Sequence, residues 1–279
     1  MKKSNDKIQL VRQSNGIGKY VLIGLVLSWF VVLTMLPVLG IIRETFKSGW
    51  QIFVSSLSDS ASRHAFMLTF WITLGTIIVN TIFGIVLAVV LVKDHFRGKL
   101  LFEGLVDLPF AVSPVVAGFM FIILFGPNGW IGNWFEARQL KIVYAFPGML
   151  VATLFVTLPF VAREVIPVLK EFGLHQEEAA YILGASKWQT FWKVTMPSIK
   201  WGLAYGVTLT IARSIGEFGA VLVVSGSIIN KTQTATLHIH QEFTDFNYAG
   251  AFSAAVVLAL ISFIILTTMQ CVYRRKEVG

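Results

Sequence analysis

Gln176-Glu177-Glu178-Ala179-Ala180-Tyr181-Ile182-Leu183-Gly184-Ala185-Ser186-Lys187-Trp188-Gln189-Thr190-Phe191-Trp192-Lys193-Val194-Thr195-Met196-Pro197 is a charged, small-residue connection set between long apolar segments. Gln176 to Leu183 consists of good helix formers, Gly184 suits the turn at a helix C-terminus, and Ser186 is placed to cap a second helix through Trp188 and Phe191 to Val194. Pro197 is expected to end that second helix. The spacing therefore predicts two short helices joined at Gly184. Ala179, Ala180 and Gly184 leave a narrow ridge that fits a partner's groove with the backbones close together, while Trp188 and Trp192 suit a membrane interface. The same residues also fit an amphipathic hairpin that merely connects two spans.

Working outward, the chain has 279 residues, 55% of them hydrophobic and only 14% charged. That is too little charge to cover a water-soluble globule of this size, so the composition points to a bilayer. The net charge of +8 is spread between apolar runs and forms no basic stripe interleaved with aromatics, which excludes nucleic acid as the expected partner. Cys271 is the only cysteine, so neither an internal disulfide nor a cysteine-rich metal site is expected.

A bilayer core of about 30 Å needs roughly 20 apolar residues per helix. Six segments meet that length: Tyr20 to Ile42, Ala65 to Val92, Leu100 to Phe125, Ile142 to Ala162, Trp201 to Val224 and Phe246 to Tyr273. The third contains Glu103 and Asp107, and the fifth contains Arg213 and Glu217. Each is read as one helix with ionisable residues in or near the membrane. The basic approach to the first segment (Lys2, Lys3, Lys7, Arg12, Lys19) precedes an apolar run that is long for a secretion signal, with no small-residue cleavage site, so it reads as a retained anchor.

Lys and Arg number sixteen on the connections that share a side with the 176–197 loop and both termini, against six on the other connections. The positive-inside rule then places that loop and both termini in the cytoplasm. The resulting organisation is a cytoplasmic segment 1–19, a first helix and outer loop 20–64, a transmembrane domain 65–273 and a cytoplasmic tail 274–279. No Gly-x-x-x-x-Gly-Lys-Ser/Thr run is present to cradle a nucleotide phosphate, so any ATP must be hydrolysed by another chain. Proline and glycine inside the spans (Pro109, Pro114, Pro147, Pro159, Gly206, Gly216) permit kinks and close helix contacts.

Arg213 and Glu217 are four apart and are expected on one helix face, within pairing distance. A lone Arg at mid-membrane costs about 2.5 to 3.5 kcal/mol, so the pair should face protein or a water-filled cavity. Two roles are open: a packing pair, or an anion pathway in which Arg213 attracts a dianion and Glu217 limits how tightly it is held. Glu103 and Asp107 are expected to snorkel or to pair with Lys99 or Arg97. His238 and His240 are read as alternating on one side of an extended segment, without a third ligand for a metal.

The loop spacing resembles the EAA loop of ABC importer permeases: Glu178-Ala179-Ala180, three residues, Gly184, nine residues, an aliphatic (Val194), one residue, then Met196-Pro197 where Leu-Pro is commoner. The runs Asp107-Leu108-Pro109-Phe110-Ala111-Val112-Ser113-Pro114-Val115-Val116-Ala117-Gly118, Leu158-Pro159-Phe160-Val161-Ala162-Arg163-Glu164-Val165-Ile166-Pro167 and Gly216-Glu217-Phe218-Gly219-Ala220 are similar to the sulfate and molybdate branch. Trp188 to Trp192 followed by Ile199 to Leu203 resembles the W-type permeases (CysW family) of bacterial sulfate/thiosulfate importers, over about Phe66 to Tyr273. Where many relatives carry proline in the outer loop, this chain has Thr236.

The resemblance implies an all-α polytopic fold with six transmembrane helices, of the type I ABC importer kind, in the bacterial inner membrane. It implies one half of a heterodimeric pathway for sulfate or thiosulfate, paired with a T-type permease, two copies of a cytoplasmic ATPase and an extracytoplasmic sulfate-binding protein. Glu178, Ala179, Ala180, Gly184, Val194 and Pro197 would couple to the ATPase. Arg213, Glu217, Ser113 and Pro114 are the candidates for the pathway or gate. No catalytic residue, cofactor or metal is expected. The alternatives are a molybdate or tungstate permease and a secondary anion transporter; an intramembrane enzyme lacks a Gly-x-Ser-x-Gly, a His-Glu-x-x-His or a nucleophile and base pair.

Overall fold

The computed structural model describes residues 16–173 and 175–277; the basic residues Lys2, Lys3, Lys7 and Arg12 and the last two residues of the tail lie outside that set. Among the described residues the secondary structure is helical throughout, with no strand. Four helices are long and apolar enough to cross a membrane: α1 (Gly18–Lys47), α3 (Ser60–Lys93), α7 (Phe146–Phe172) and the Tyr248–Cys271 part of α12 (Tyr248–Glu277). Two bent pairs bring the number to six if each counts as one span: α4 (Lys99–Ala111) with α5 (Pro114–Phe125), and α9 (Lys187–Ile215) with α10 (Gly219–Ser225). Shorter helices fill the connections: α2 (Trp50–Ser58), α6 (Gly132–Glu136), α8 (His175–Ile182) and α11 (Ala235–Thr244).

The bent pairs correct two expectations of a single helix. Between α4 and α5 the axis turns by 111°. Pro114 disfavours helical backbone at the residue before it, and Val112 and Ser113 both lie extended (ψ 130° and 136°), so the chain changes direction there and restarts with Pro114 at the first turn. Between α9 and α10 the turn is 52°, through Gly216, Glu217 and Phe218.

Proline has the opposite outcome elsewhere. Pro197 does not end the second hairpin helix, which runs unbroken from Lys187 to Ile215. The turn before it widens into a π stretch, Phe191–Thr195, in which Met196 N–H reaches back to Phe191 O. The wider turn relieves the clash between the proline ring and the preceding carbonyls. Ser198 Oγ also donates to Val194 O at 2.6 Å. The same device occurs in α1, where the π stretch Val31–Met35 precedes Pro37.

α7 is the axis of the bundle, packed by α3 and α9 and flanked by α4, α5 and α10. Lipid tails are as apolar as Leu, so association here depends on close packing and interhelical hydrogen bonds. Both are visible. A Cβ on Gly84 of α3 would lie 2.7 Å from Val161 Cβ, and one on Gly206 of α9 would lie 2.8 Å from Val161 Cα, so α7 is gripped from two sides at a point where only glycine fits. Asn80 Nδ2 donates to Leu154 O (3.1 Å) and Thr157 Oγ1 (2.8 Å), tying α3 to α7. Around these contacts Ile85, Ala88, Val161, Val165, Leu169 and Ile199 form one buried cluster, and Ile72, Met149, Val221 and Leu237 a second. Phe70, Trp71, Ile82 and Phe83 of α3 face outward, as a lipid-exposed surface requires.

Candidate functional site

Local rules build the hairpin that begins with Glu178. α8 ends in a Schellman motif: Gly184 N–H donates to Tyr181 O (3.0 Å) and Ala185 N–H to Ala180 O (3.0 Å), with Gly184 at φ +85°. No neighbouring atom lies within 4 Å of where a Gly184 Cβ would sit, so backbone conformation, not space, requires glycine. Two residues on, Ser186 and Gln189 form a capping box: Gln189 N–H donates to Ser186 Oγ (3.3 Å) and Ser186 N–H to Gln189 Oε1 (2.9 Å).

The hairpin presents an apolar tip. Ile182 and Leu183 are 86% and 87% exposed, and Trp188 70%. Glu178 and Ala179 are exposed beside them and Ala180 is half-buried. His175 Nδ1 lies 3.7 Å from Glu178 Oε2. Val194 is half-buried and Pro197 exposed on the continuing helix. The sequence missed Glu177, whose side chain turns inward beneath α8 and meets Lys93 and Thr195. Two adjacent glutamates on a helix cannot share a face, which is the one signal that they have different tasks; the identity of the partners is not local.

The second set of candidates lies at the opposite end of α9, roughly 40 Å away at 1.5 Å per residue. Glu217 stands in the break between α9 and α10 and not on the helix, yet Arg213 Nη1 still reaches its Oε2 at 2.7 Å. Glu217 is buried while the Arg213 side chain keeps 32% of its surface. The carboxylate also accepts from Ala220 N–H (2.9 Å), satisfying a donor in the first turn of α10. Thr236 Oγ1 donates to Glu217 O (2.7 Å), a bond that proline at this position would lack, and so ties α11 to the break. Gly219 brings the two helix breaks together: a Cβ there would lie 3.2 Å from Pro114 Cβ. Ser113 is exposed next to it. The break that holds Glu217, paired with Arg213, thus lies against the break before Pro114.

Two further expectations are corrected. Asp107 pairs with Arg163 of α7 (2.8 Å), not with Lys99 or Arg97, and Arg163 lies over the Phe110 ring at 4.7 Å. Lys99 Nζ instead reaches the Asp94 carbonyl at 3.3 Å. His238 and His240 lie on a helix, α11, where residues two apart point to different sides. His238 is buried and His240 packs against Phe218. Burial lowers the pKa of His238, partly opposed by the negative charges of Glu242 and Asp59.

Residues 80–278 match the family model described as "Binding-protein-dependent transport system inner membrane component". The chain belongs to this family. As an inner membrane component of that family it is a multi-pass, non-catalytic transport subunit. It is 49% identical to the sulfate transport system permease protein CysW of Synechocystis sp., over 92% of this chain and 93% of the relative. Identity to CysW of Escherichia coli is 44%, covering 93% and 89%, and to the sulfate transport system permease protein CysT of the same organism 35%, covering 92% and 94%. A bacterial alginate ABC transporter, solved in complex with a pentasaccharide-bound periplasmic protein, superposes with a TM-score of 0.78 at 17% identity, over 92% of this chain and 93% of that one. At that identity the likeness shows the permease fold alone.

Proposed function

We propose that this subunit forms one half of a sulfate or thiosulfate import pathway, completed by a T-type permease, and that its exposed hairpin docks into two-copy cytoplasmic ATPase machinery. An extracytoplasmic sulfate-binding protein delivers the anion on the other side. The substrate assignment is supported by the relatives that bear the name sulfate permease at 44–49% identity. The heterodimer is supported by likeness to both CysW and CysT, two different permeases of one system in Escherichia coli. Orientation, with both termini and the hairpin cytoplasmic, follows from the excess of Lys and Arg on that side.

The observation that carries docking is the exposed Ile182-Leu183 tip at the end of α8, joined through the Gly184 turn to α9, which continues without interruption into the fifth span. An apolar ridge of that kind fits a groove on a partner, and a continuous helix transmits its displacement. Arg213 is positioned in this reading at the end of the pathway that α9 controls, with Glu217 holding the break in shape. Labelled-sulfate uptake by proteoliposomes holding all four gene products, with molybdate and thiosulfate as competitors, tests the substrate. Crosslinking from Leu183→Cys to the ATPase tests docking: uptake that molybdate competes for better than either sulfate or thiosulfate overturns the first part, and a hairpin that never crosslinks overturns the second.

A further inference from the structure

Glu177 adjoins the exposed Glu178 but is buried. Lys93 Nζ donates to both of its carboxylate oxygens, at 2.7 and 2.6 Å, and Thr195 Oγ1 donates to Oε1 at 2.5 Å. These three residues come from three segments. Lys93 is the last residue of α3, Glu177 lies in the first turn of α8, and Thr195 closes the π stretch of α9. We infer that Lys93, Glu177 and Thr195 form a clamp that makes the hairpin, the end of α3 and the root of the fifth span move as one body. Glu177 is thereby a positioning residue for coupling. The inference rests on the reading of the hairpin as the docking element.

The need for a clamp is visible in the backbone. α8 is bounded by two glycines at positive φ, Gly173 (+68°) and Gly184 (+85°), and its packing neighbour is α9. A short helix held between such joints would yield to a load on Ile182 and Leu183 before passing it on. The buried pair opposes that yielding, because drawing Glu177 away from Lys93 leaves an uncompensated charge in a poorly hydrated place. α3 in turn packs along α7, so the clamp routes displacement to the axis of the bundle as well as up α9. A carboxylate that only satisfied the hairpin locally would need neither the lysine of another span nor a bond to the widened turn.

The test uses the full transporter in proteoliposomes, with Glu177→Gln, Lys93→Met and the exchange Lys93→Glu with Glu177→Lys. Three quantities are read: ATPase retained on purification, ATP hydrolysed, and sulfate taken up per ATP. The clamp predicts that both single variants retain the ATPase within about two-fold while uptake per ATP falls by about five-fold or more, and that the exchange restores at least half of it. Unchanged uptake per ATP in the single variants, or an exchange that keeps the ATPase without recovery, overturns the clamp and leaves docking standing. Failure of the unaltered chain to retain any ATPase instead overturns the docking reading, and the clamp with it. Should the single variants reduce the amount of complex in the membrane, Thr195→Val removes one hydroxyl and keeps the charges: a fall of about two-fold in uptake per ATP supports the clamp, and no change overturns it.

Discussion

The two ends of α9 are built by opposite means. At the hairpin end, structure comes from rules a few residues long: a glycine in left-handed conformation, a capping box and helix formers between them, with the apolar tip left bare. At the Arg213 end, structure comes from convergence: a buried carboxylate in a helix break receives an arginine, a backbone N–H of the next helix, and, through its carbonyl, a threonine of a third helix. An exposed tip has few tertiary contacts to shape it, so its sequence must specify its form locally. A buried break has the reverse problem, since every unsatisfied backbone group there must find a partner from elsewhere in the chain.

The contrast can be broken most forcefully at Glu217. Glu217→Ala removes the partner of Arg213 and the acceptor for Ala220 N–H, and is expected to destabilise the protein by about 3 kcal/mol, the low end for a broken buried pair because Arg213 is part-exposed. A lowered thermal midpoint in detergent, with faster hydrogen exchange across 216–236, is the expected result. Retention of the wild-type midpoint would show that the break is held by packing alone. Arg213→Glu is expected to abolish sulfate uptake while the ATPase still co-purifies; normal uptake would remove Arg213 from the pathway.

At the other end the expected losses are smaller and functional. Gly184→Val forces a β-branched residue into φ +85°, at a cost of about 1–2 kcal/mol, and is expected to lower uptake about ten-fold with membrane abundance within two-fold of normal. Ser186→Ala removes one arm of the capping box, costs about 1 kcal/mol and should lower uptake about three-fold, measured in the same assay. The ranking is itself informative. If Ser186→Ala proves more harmful than Gly184→Val, the hairpin's second helix and not its turn is the feature that docking depends on.

The smallest effect concerns pH. His238 is buried neutral, with its pKa held below the ordinary value of 6.5. As pH falls below about 6.5 the unfolded chain gains the proton first, so the packing of α11 loses stability with acidification and keeps it fully above that value. A thermal midpoint that falls between pH 7 and 5 in the wild type, and less so in His238→Gln, is the expected outcome.

Legibility follows the same division. The hairpin helices, the Gly184 turn and the Ser186 cap were readable because each depends on residues within a few positions. Pro197 misled because a proline's effect depends on the turn it enters: at Ser113-Pro114 the chain bends by 111°, whereas after Phe191–Thr195 the helix absorbs it. The alternation of His238 and His240 suggests an extended segment, whereas burial of Ala235, Leu237 and His238 follows a helical face. Lys99 and Arg97 lie nearer to Asp107 in sequence, but helix packing sets Arg163 closer in space.

From the sequence alone came the membrane class, the apolar segments and the form of the hairpin, since hydrophobic length, charge placement and capping chemistry act over short stretches of chain. Only the tertiary structure decided which broken helices abut, that Glu177 is held by Lys93 across 84 positions, and that Gly219, beside Glu217, packs against Pro114. The reason is that partners of buried charges and the direction of a helix break are fixed by which helices pack together. That packing is a property of the whole bundle around α7 and is written in no single segment.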